Sequence, residues 1–205
     1  MEEFNVSYIL MAISALILGI TVHEWAHAVS ADYFGDTTPR SQGRVTLWPP
    51  AHLDPMGTIF MIATVIFGFG IGWGKPVQTD PRQYRINPRL ADSIVSFAGP
   101  LSNLVIAMAF ALLWRTGLVR DPMFMEWMFV IIIVNTGLFL FNLIPIYPLD
   151  GYHLLANALP PRLGDAYRQA MQQYGIFIFI ALLMLRIPSE LLGPAIVTMI
   201  KFLIG

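Results

Sequence analysis

The sequence predicts an all-α integral membrane protein: a bundle of about five to six transmembrane helices with one re-entrant segment at 55–74. Three observations predict it. Of 205 residues, 56% are hydrophobic and 12% charged, with a mean hydropathy of +0.64, whereas soluble domains carry roughly a quarter charged residues. Long uncharged runs recur at 4–22, 55–74, 93–114, 127–149 and 169–185, and an apolar tail at 191–205 is interrupted only by Lys201. The run at 55–74 stands apart in its glycines. That length and pattern suit one membrane-embedded domain, 1–205, with no room for a second soluble one. A net charge of −1 without any Lys/Arg block argues against nucleic acid as a partner, and the absence of cysteine excludes disulfides and thiolate metal ligands.

A helix needs about 20 residues to cross ~30 Å of hydrocarbon, so the first, third and fourth runs span comfortably. The fifth is marginal, and the sixth either spans or lies in the interface. Met1-Glu2-Glu3 lacks the positive region of a signal peptide, so the first run is expected to stay as a helix. That run leads into Thr21-Val22-His23-Glu24-Trp25-Ala26-His27. If the helix continues through it, His23 and His27 stand at i,i+4 on one face, a spacing that suits one zinc ion. Two imidazoles leave a tetrahedral ion room for a third protein ligand and a water, whose pKa falls from 15.7 to about 7. Glu24, beside the first ligand, is placed to take a proton from that water without ligating. Charging Glu24 near a bilayer core costs ~2.5–3.5 kcal/mol on insertion scales, which favours a functional reading over a chance occurrence of the motif.

The second run holds Gly57, Gly68, Gly70, Gly72 and Gly74. Each glycine costs about 1 kcal/mol relative to alanine in a helix, so the segment reads either as re-entrant or as a span with a small-residue packing face. Before it, Val45-Thr46-Leu47-Trp48 is β-branched and aromatic enough for a short strand that could take an extended substrate by its edge. An interfacial anchor with Trp48 at headgroup level is the equal alternative.

The fourth run ends in Asn142-Leu143-Ile144-Pro145-Ile146-Tyr147-Pro148-Leu149-Asp150-Gly151. Pro145 and Pro148 break or kink the helix and deliver Asp150 on irregular backbone at membrane depth. Asp150 is the candidate third zinc ligand; the alternative is a turn in which it caps a helix starting at Tyr152. His153 follows too closely to reach the same ion without a tight reversal and reads as a polar interfacial side chain.

These segments, His23-Glu24-x-x-His27, Gly99-Pro100-Leu101-Ser102-Asn103 and Asn142-x-x-Pro145-x-x-Pro148-Leu149-Asp150-Gly151, resemble the site-2 protease family of intramembrane zinc metalloproteases, in its compact prokaryotic form without a PDZ domain. The likeness extends over nearly the whole chain, since 44–58 and 72–89 also resemble segments of those small members. It implies that His23, His27 and Asp150 bind one Zn2+ per chain, that Glu24 is the catalytic base, and that the substrate is a transmembrane or membrane-adjacent peptide within the lipid bilayer. Two other functions use the same residues: a membrane metal carrier or channel, and a pseudoprotease that binds membrane segments without cutting. A carrier would want further ligands along a path, and the spans are nearly free of ionisable groups; a binder would have no need of Glu24.

Topology follows from the shared ion. His23, His27 and Asp150 meet only if the first and fourth runs end on the same face, which needs an odd number of crossings between them. Two runs intervene, so 55–74 is expected to dip in and return. Arg40, Arg44, Lys75, Arg82, Arg85 and Arg89 then share a face with Arg162 and Arg168, against Arg115, Arg120 and Arg186. The positive-inside rule makes the first face cytoplasmic, with Glu2 and Glu3 outside and the active site of this multi-pass cell-membrane protein toward the cytoplasm. Three further polar residues are candidates for holding the substrate or the oxyanion. Asn103 and Asn142 sit in or at the edge of apolar runs, where an amide must find a partner, with interhelical hydrogen bonding as the alternative role. His52, at the mouth of the re-entrant segment, either contacts substrate or caps the turn.

Overall fold

In a computed structural model the described residues are 6–67, 72–185 and 187–205. Gly68, Gly70, Glu2, Glu3 and Arg186 lie outside them. The elements are α1 (Val6–Tyr33), α2 (Thr38–Ser41), α3 (Pro55–Phe67), α4 (Pro88–Thr116), α5 (Pro122–Asn142), α6 (Asp150–Ala158), α7 (Pro161–Met184) and α8 (Ile187–Ile204). Among the described residues three helices, α1, α4 and α5, are long and apolar enough to cross a membrane. They are the first, third and fourth runs of the sequence. The longer two, at 28 and 29 residues, reach ~42 Å, more than the hydrocarbon thickness. The wider bundle is completed by α7 and α8, of which α8 packs on α4 and α5.

The helix starts are written in the sequence. Asn87 accepts hydrogen bonds from the amides of Arg89 (3.0 Å) and Leu90 (3.3 Å) at the head of α4, and Asp121 accepts from Phe124 (2.8 Å) at the head of α5. Each cap is followed by a proline, whose missing N–H costs nothing in a first turn. Inside α4, Pro100 removes a helical donor close to the site.

Helices in lipid associate through close packing of small residues and interhelical hydrogen bonds. Here Ala12 and Ala15 of α1, with Met11, meet Val130 and Ile131 of α5, while Ala111 of α4 meets Ile132 and Ile200. Trp127 donates to Ser14 Oγ at 2.9 Å across the α1–α5 seam. Large apolar side chains such as Leu10, Leu112 and Phe177 point outward, more than 60% exposed, as a lipid-facing surface requires. The order of contacts gives direction. Moving from Ala15 to Gly19 along α1 moves the partner on α5 from Ile131 to Asn135, so these helices run parallel, whereas His23 and His27 face Asn103 and Val95, so α4 runs against both.

The segment at 55–74 returns on itself, as an ion shared by the first and fourth runs requires. Leu53 and Gly74 form an antiparallel bridge, and the Lys75 amide donates to His52 O at 2.8 Å, so the segment leaves and re-enters at one point. Its helix, α3, has 13 residues, only ~20 Å of rise. The glycines explain the tight return: a Cβ on Gly57 would overlap the Trp73 carbonyl, and one on Gly72 would overlap Met61. The strand anticipated at 45–48 does not form. That stretch is irregular, because Pro49 and Pro50 follow at once without N–H donors and His52 Nε2 engages Thr46 O at 2.7 Å. Trp48, 67% exposed, fits the interfacial-anchor alternative.

Candidate active site

Near the C-terminal end of α1, His23 and His27 point into the bundle, each 8% exposed, with rings edge-to-face. Their Nε2 atoms are 3.0 Å apart. After α5 the chain breaks at Pro145 and resumes helix at Asp150, the first residue of α6. Leu149 is the N-cap and no side chain caps this end, so Asp150 is not spent on a turn. Its carboxylate meets the imidazoles instead, Oδ2 at 3.1 Å from His23 Nε2 and Oδ1 at 3.3 Å from His27 Nε2. One donor atom from each of the three residues lies within 4.8 Å of the others.

The hydrogen bonds behind these three side chains decide what the cluster can hold. His27 Nδ1 lies 2.7 Å from the Val95 carbonyl, which only accepts, so Nδ1 carries the proton and Nε2 presents a lone pair. The His23 tautomer is set through two amides. Asn135 Nδ2 donates to Ile131 O (3.0 Å), which makes its Oδ1 an acceptor; Asn103 Nδ2 donates to that oxygen (3.0 Å) and to Gly19 O (3.1 Å). Asn103 Oδ1 therefore faces His23 Nδ1 at 2.7 Å as an acceptor, and His23 Nε2 is also a lone pair. Two lone pairs and a carboxylate, one of whose oxygens is buried with no hydrogen-bond partner, converge on one point. Such an arrangement is stable around a cation and repulsive without one, and nitrogen and oxygen donors of this number fit zinc.

Space is reserved for the cluster. A Cβ at Gly99 of α4 would overlap His27 Nε2 and stand 2.7 Å from His23 Nε2. Glu24 lies beside the three, 13% exposed at its side chain, with Oε2 accepting from the Val77 amide at 2.9 Å. All four face one cavity of about 690 Å³, whose far wall, Leu138, Phe141, Phe179 and Ile180 among others, is apolar.

The remaining candidates separate. Asn142 lines the cavity, with Nδ2 donating to Leu138 O at 2.9 Å. Asn103 is fully buried behind His23, with its amide oxygen on the imidazole Nδ1. His52 is fully buried too and does not line the cavity; its ring braces the loop before α3 through Thr46 O, and its backbone carbonyl accepts from the Lys75 amide where the re-entrant segment returns. His153, by contrast, does line it, held by Asp92 at 3.3 Å. Sequence reasoning did not reach Gly99 as the residue that makes room for the imidazoles, nor Arg44, which is 3% exposed. Replacing Asn103 by Ala leaves a buried imidazole N–H unpaired and is expected to weaken metal affinity about 10- to 100-fold. A competition titration against a chromophoric chelator measures this; an unchanged affinity would contradict the orienting role.

Comparison with known proteins agrees with this geometry. Residues 11–120 and 116–186 match peptidase family M50. "Putative zinc metalloprotease YwhC" of Bacillus subtilis is 40% identical over 193 residues, covering 87% of this chain and 82% of the relative. "Putative zinc metalloprotease Rip2" of Mycolicibacterium smegmatis is 31% identical over 182 residues, 87% of this chain and 68% of the relative, and its Mycobacterium tuberculosis namesake (strain H37Rv) is 32% identical over 177 residues, 84% and 66%. No solved structure gives a significant match. With its motifs, its convergent donor cluster and these relatives, the chain belongs to peptidase family M50, the site-2 protease family.

Proposed function

We propose that this chain is an intramembrane zinc metalloendopeptidase, a single domain over 1–205, that hydrolyses peptide bonds in or near transmembrane segments of membrane proteins. The observation that carries the reading is the meeting of His23, His27, Asp150 and Glu24 on one largely apolar cavity inside a bundle of membrane-length helices. His23, His27 and Asp150 hold the zinc. When bound, zinc supplies a Lewis acid that polarises the scissile carbonyl and acidifies water. Glu24 takes the proton of the attacking water and returns it to the leaving amine. Asn103 and the Val95 carbonyl keep both imidazoles turned with Nε2 inward. The apolar wall receives the side chains of an unwound substrate helix and keeps bulk water out. Asn142, on that wall, has one amide hydrogen left after its bond to Leu138 O and offers it to the substrate backbone. His52 serves the reaction indirectly, through the loop it secures.

The active site faces the cytoplasm in this reading. Arg40, Arg82, Arg89 and Arg168 form ion pairs at the end of the bundle nearer the site, while Arg115 donates to Phe202 O at the other. The test is cleavage of a transmembrane peptide by purified protein in detergent. Activity is expected to vanish with a zinc chelator and to return on adding one zinc equivalent per chain. Cleavage that survives complete zinc removal would contradict the proposal, and zinc transport without cleavage would favour a carrier.

A further inference from the structure

Arg44 lies in the loop after α2, yet it is 3% exposed. Its Nη2 donates to the carbonyl oxygen of Lys75 and stands 3.8 Å from Glu24 Oε2, while its Nε is buried with no hydrogen-bond partner. Burial pushes its pKa down and the Glu24 charge opposes that shift. A buried guanidinium is retained where it holds something, because removing it from water is costly unless its charge is matched.

What it holds is visible in the asymmetry of Glu24. Oε2 accepts the Val77 amide at 2.9 Å and faces Arg44. Oε1 accepts no hydrogen bond among the described residues. Arg44 also ties down the backbone two residues before that amide, at Lys75, so one side chain faces the carboxylate at ion-pair distance and holds the segment that donates to it.

We propose that Arg44 is a positioning residue for Glu24: with the Val77 amide it anchors Oε2, so that Oε1 is the oxygen that carries the proton in peptide hydrolysis. The inference rests on Glu24 as the general base, the reading given above. Without Arg44 the carboxylate keeps only the Val77 amide, and the segment at 74–77 keeps only its backbone ties to the loop before α3, the Leu53–Gly74 bridge and the Lys75 amide on His52 O. Misplacing a catalytic group by about 1 Å costs on the order of 100-fold in rate.

The test uses the full chain in detergent, a transmembrane peptide substrate, and zinc content measured in parallel. Arg44→Ala is expected to lower kcat about 10- to 100-fold, with KM within about twofold and zinc retained; Arg44→Lys, which keeps the charge, falls between it and wild type. In a Glu24→Gln background, adding Arg44→Ala is expected to change the residual rate less than about twofold, since no carboxylate remains to be placed. In zinc-free protein, the infrared carboxylate band that disappears in Glu24→Gln is expected to shift in Arg44→Ala. Wild-type kcat in Arg44→Ala, an equal rate loss with and without Glu24, or an unshifted band would each overturn the proposal. If Arg44→Ala does not fold, the same readouts on Arg44→Lys decide in the same way. Wild-type activity in Glu24→Gln would instead remove the general base, a failure of the underlying reading that the Arg44 variants do not mimic.

Discussion

Glu24→Gln is expected to lower kcat by about 10²–10⁴-fold while zinc remains bound. The side chain lies outside the donor cluster that His23, His27 and Asp150 form. Glutamine matches the shape of glutamate and its amide oxygen still accepts from the Val77 amide, so the segment at 74–77 keeps its bond to α1. On the proposed reading what is lost is basicity, and with it the shuttle that would move a proton from water to the leaving amine. The measurement pairs turnover of a transmembrane peptide with atomic absorption of the purified variant. A rate within about threefold of wild type would rule out Glu24 as the base; a rate loss accompanied by zinc loss would make it a structural support instead.

Gly99→Ala is the second large effect. The added methyl would overlap His27 Nε2, 2.5 Å from Cε1 of the same ring, and stand 2.7 Å from His23 Nε2. Neither ring has room to retreat, since the Nδ1 of each is engaged, one by Val95 O and the other by Asn103. The methyl therefore competes for the space where the three donors converge. Zinc content is expected to fall well below one per chain and activity to disappear, while the helices, with no polar group exposed, remain assembled. Circular dichroism and elemental analysis on the same sample separate the two. A zinc-replete, active Gly99→Ala protein would show that the imidazoles do not converge where α4 passes them.

Both effects centre on a site that was partly legible before any coordinates. The i,i+4 spacing of His23 and His27 survives translation into structure because a helix fixes it locally. Asp150 is about 120 positions away, and no periodicity links it to the pair. Its signal is the pair of helix-breaking prolines, Pro145 and Pro148, just before it; the irregular stretch they make ends at Leu149, so that Asp150 heads α6, and an ion shared with α1 also requires 55–74 to turn back. Other roles are long-range and left no local trace. Asn103 looks like any amide in an apolar run; only the carbonyl of Gly19 and the amide of Asn135 reveal that its oxygen points at His23. Arg44 was one cation among several on its face until its burial beside Glu24 set it apart. At 45–48 the β-branched and aromatic composition argued for a strand, but strand propensity is realised only with a partner edge, and the prolines that follow offer none.

Zinc K-edge X-ray absorption on the zinc-loaded protein is the most direct measurement. The convergence of α1 and α6 predicts a shell of nitrogen and oxygen at about 2.0–2.1 Å with the outer-shell scattering of two imidazoles, and a measurable loss of first-shell oxygen in Asp150→Ala. A spectrum that Asp150→Ala leaves unchanged would mean that the two helices do not share an ion, and one with fewer than two imidazoles would contradict the paired histidines of α1.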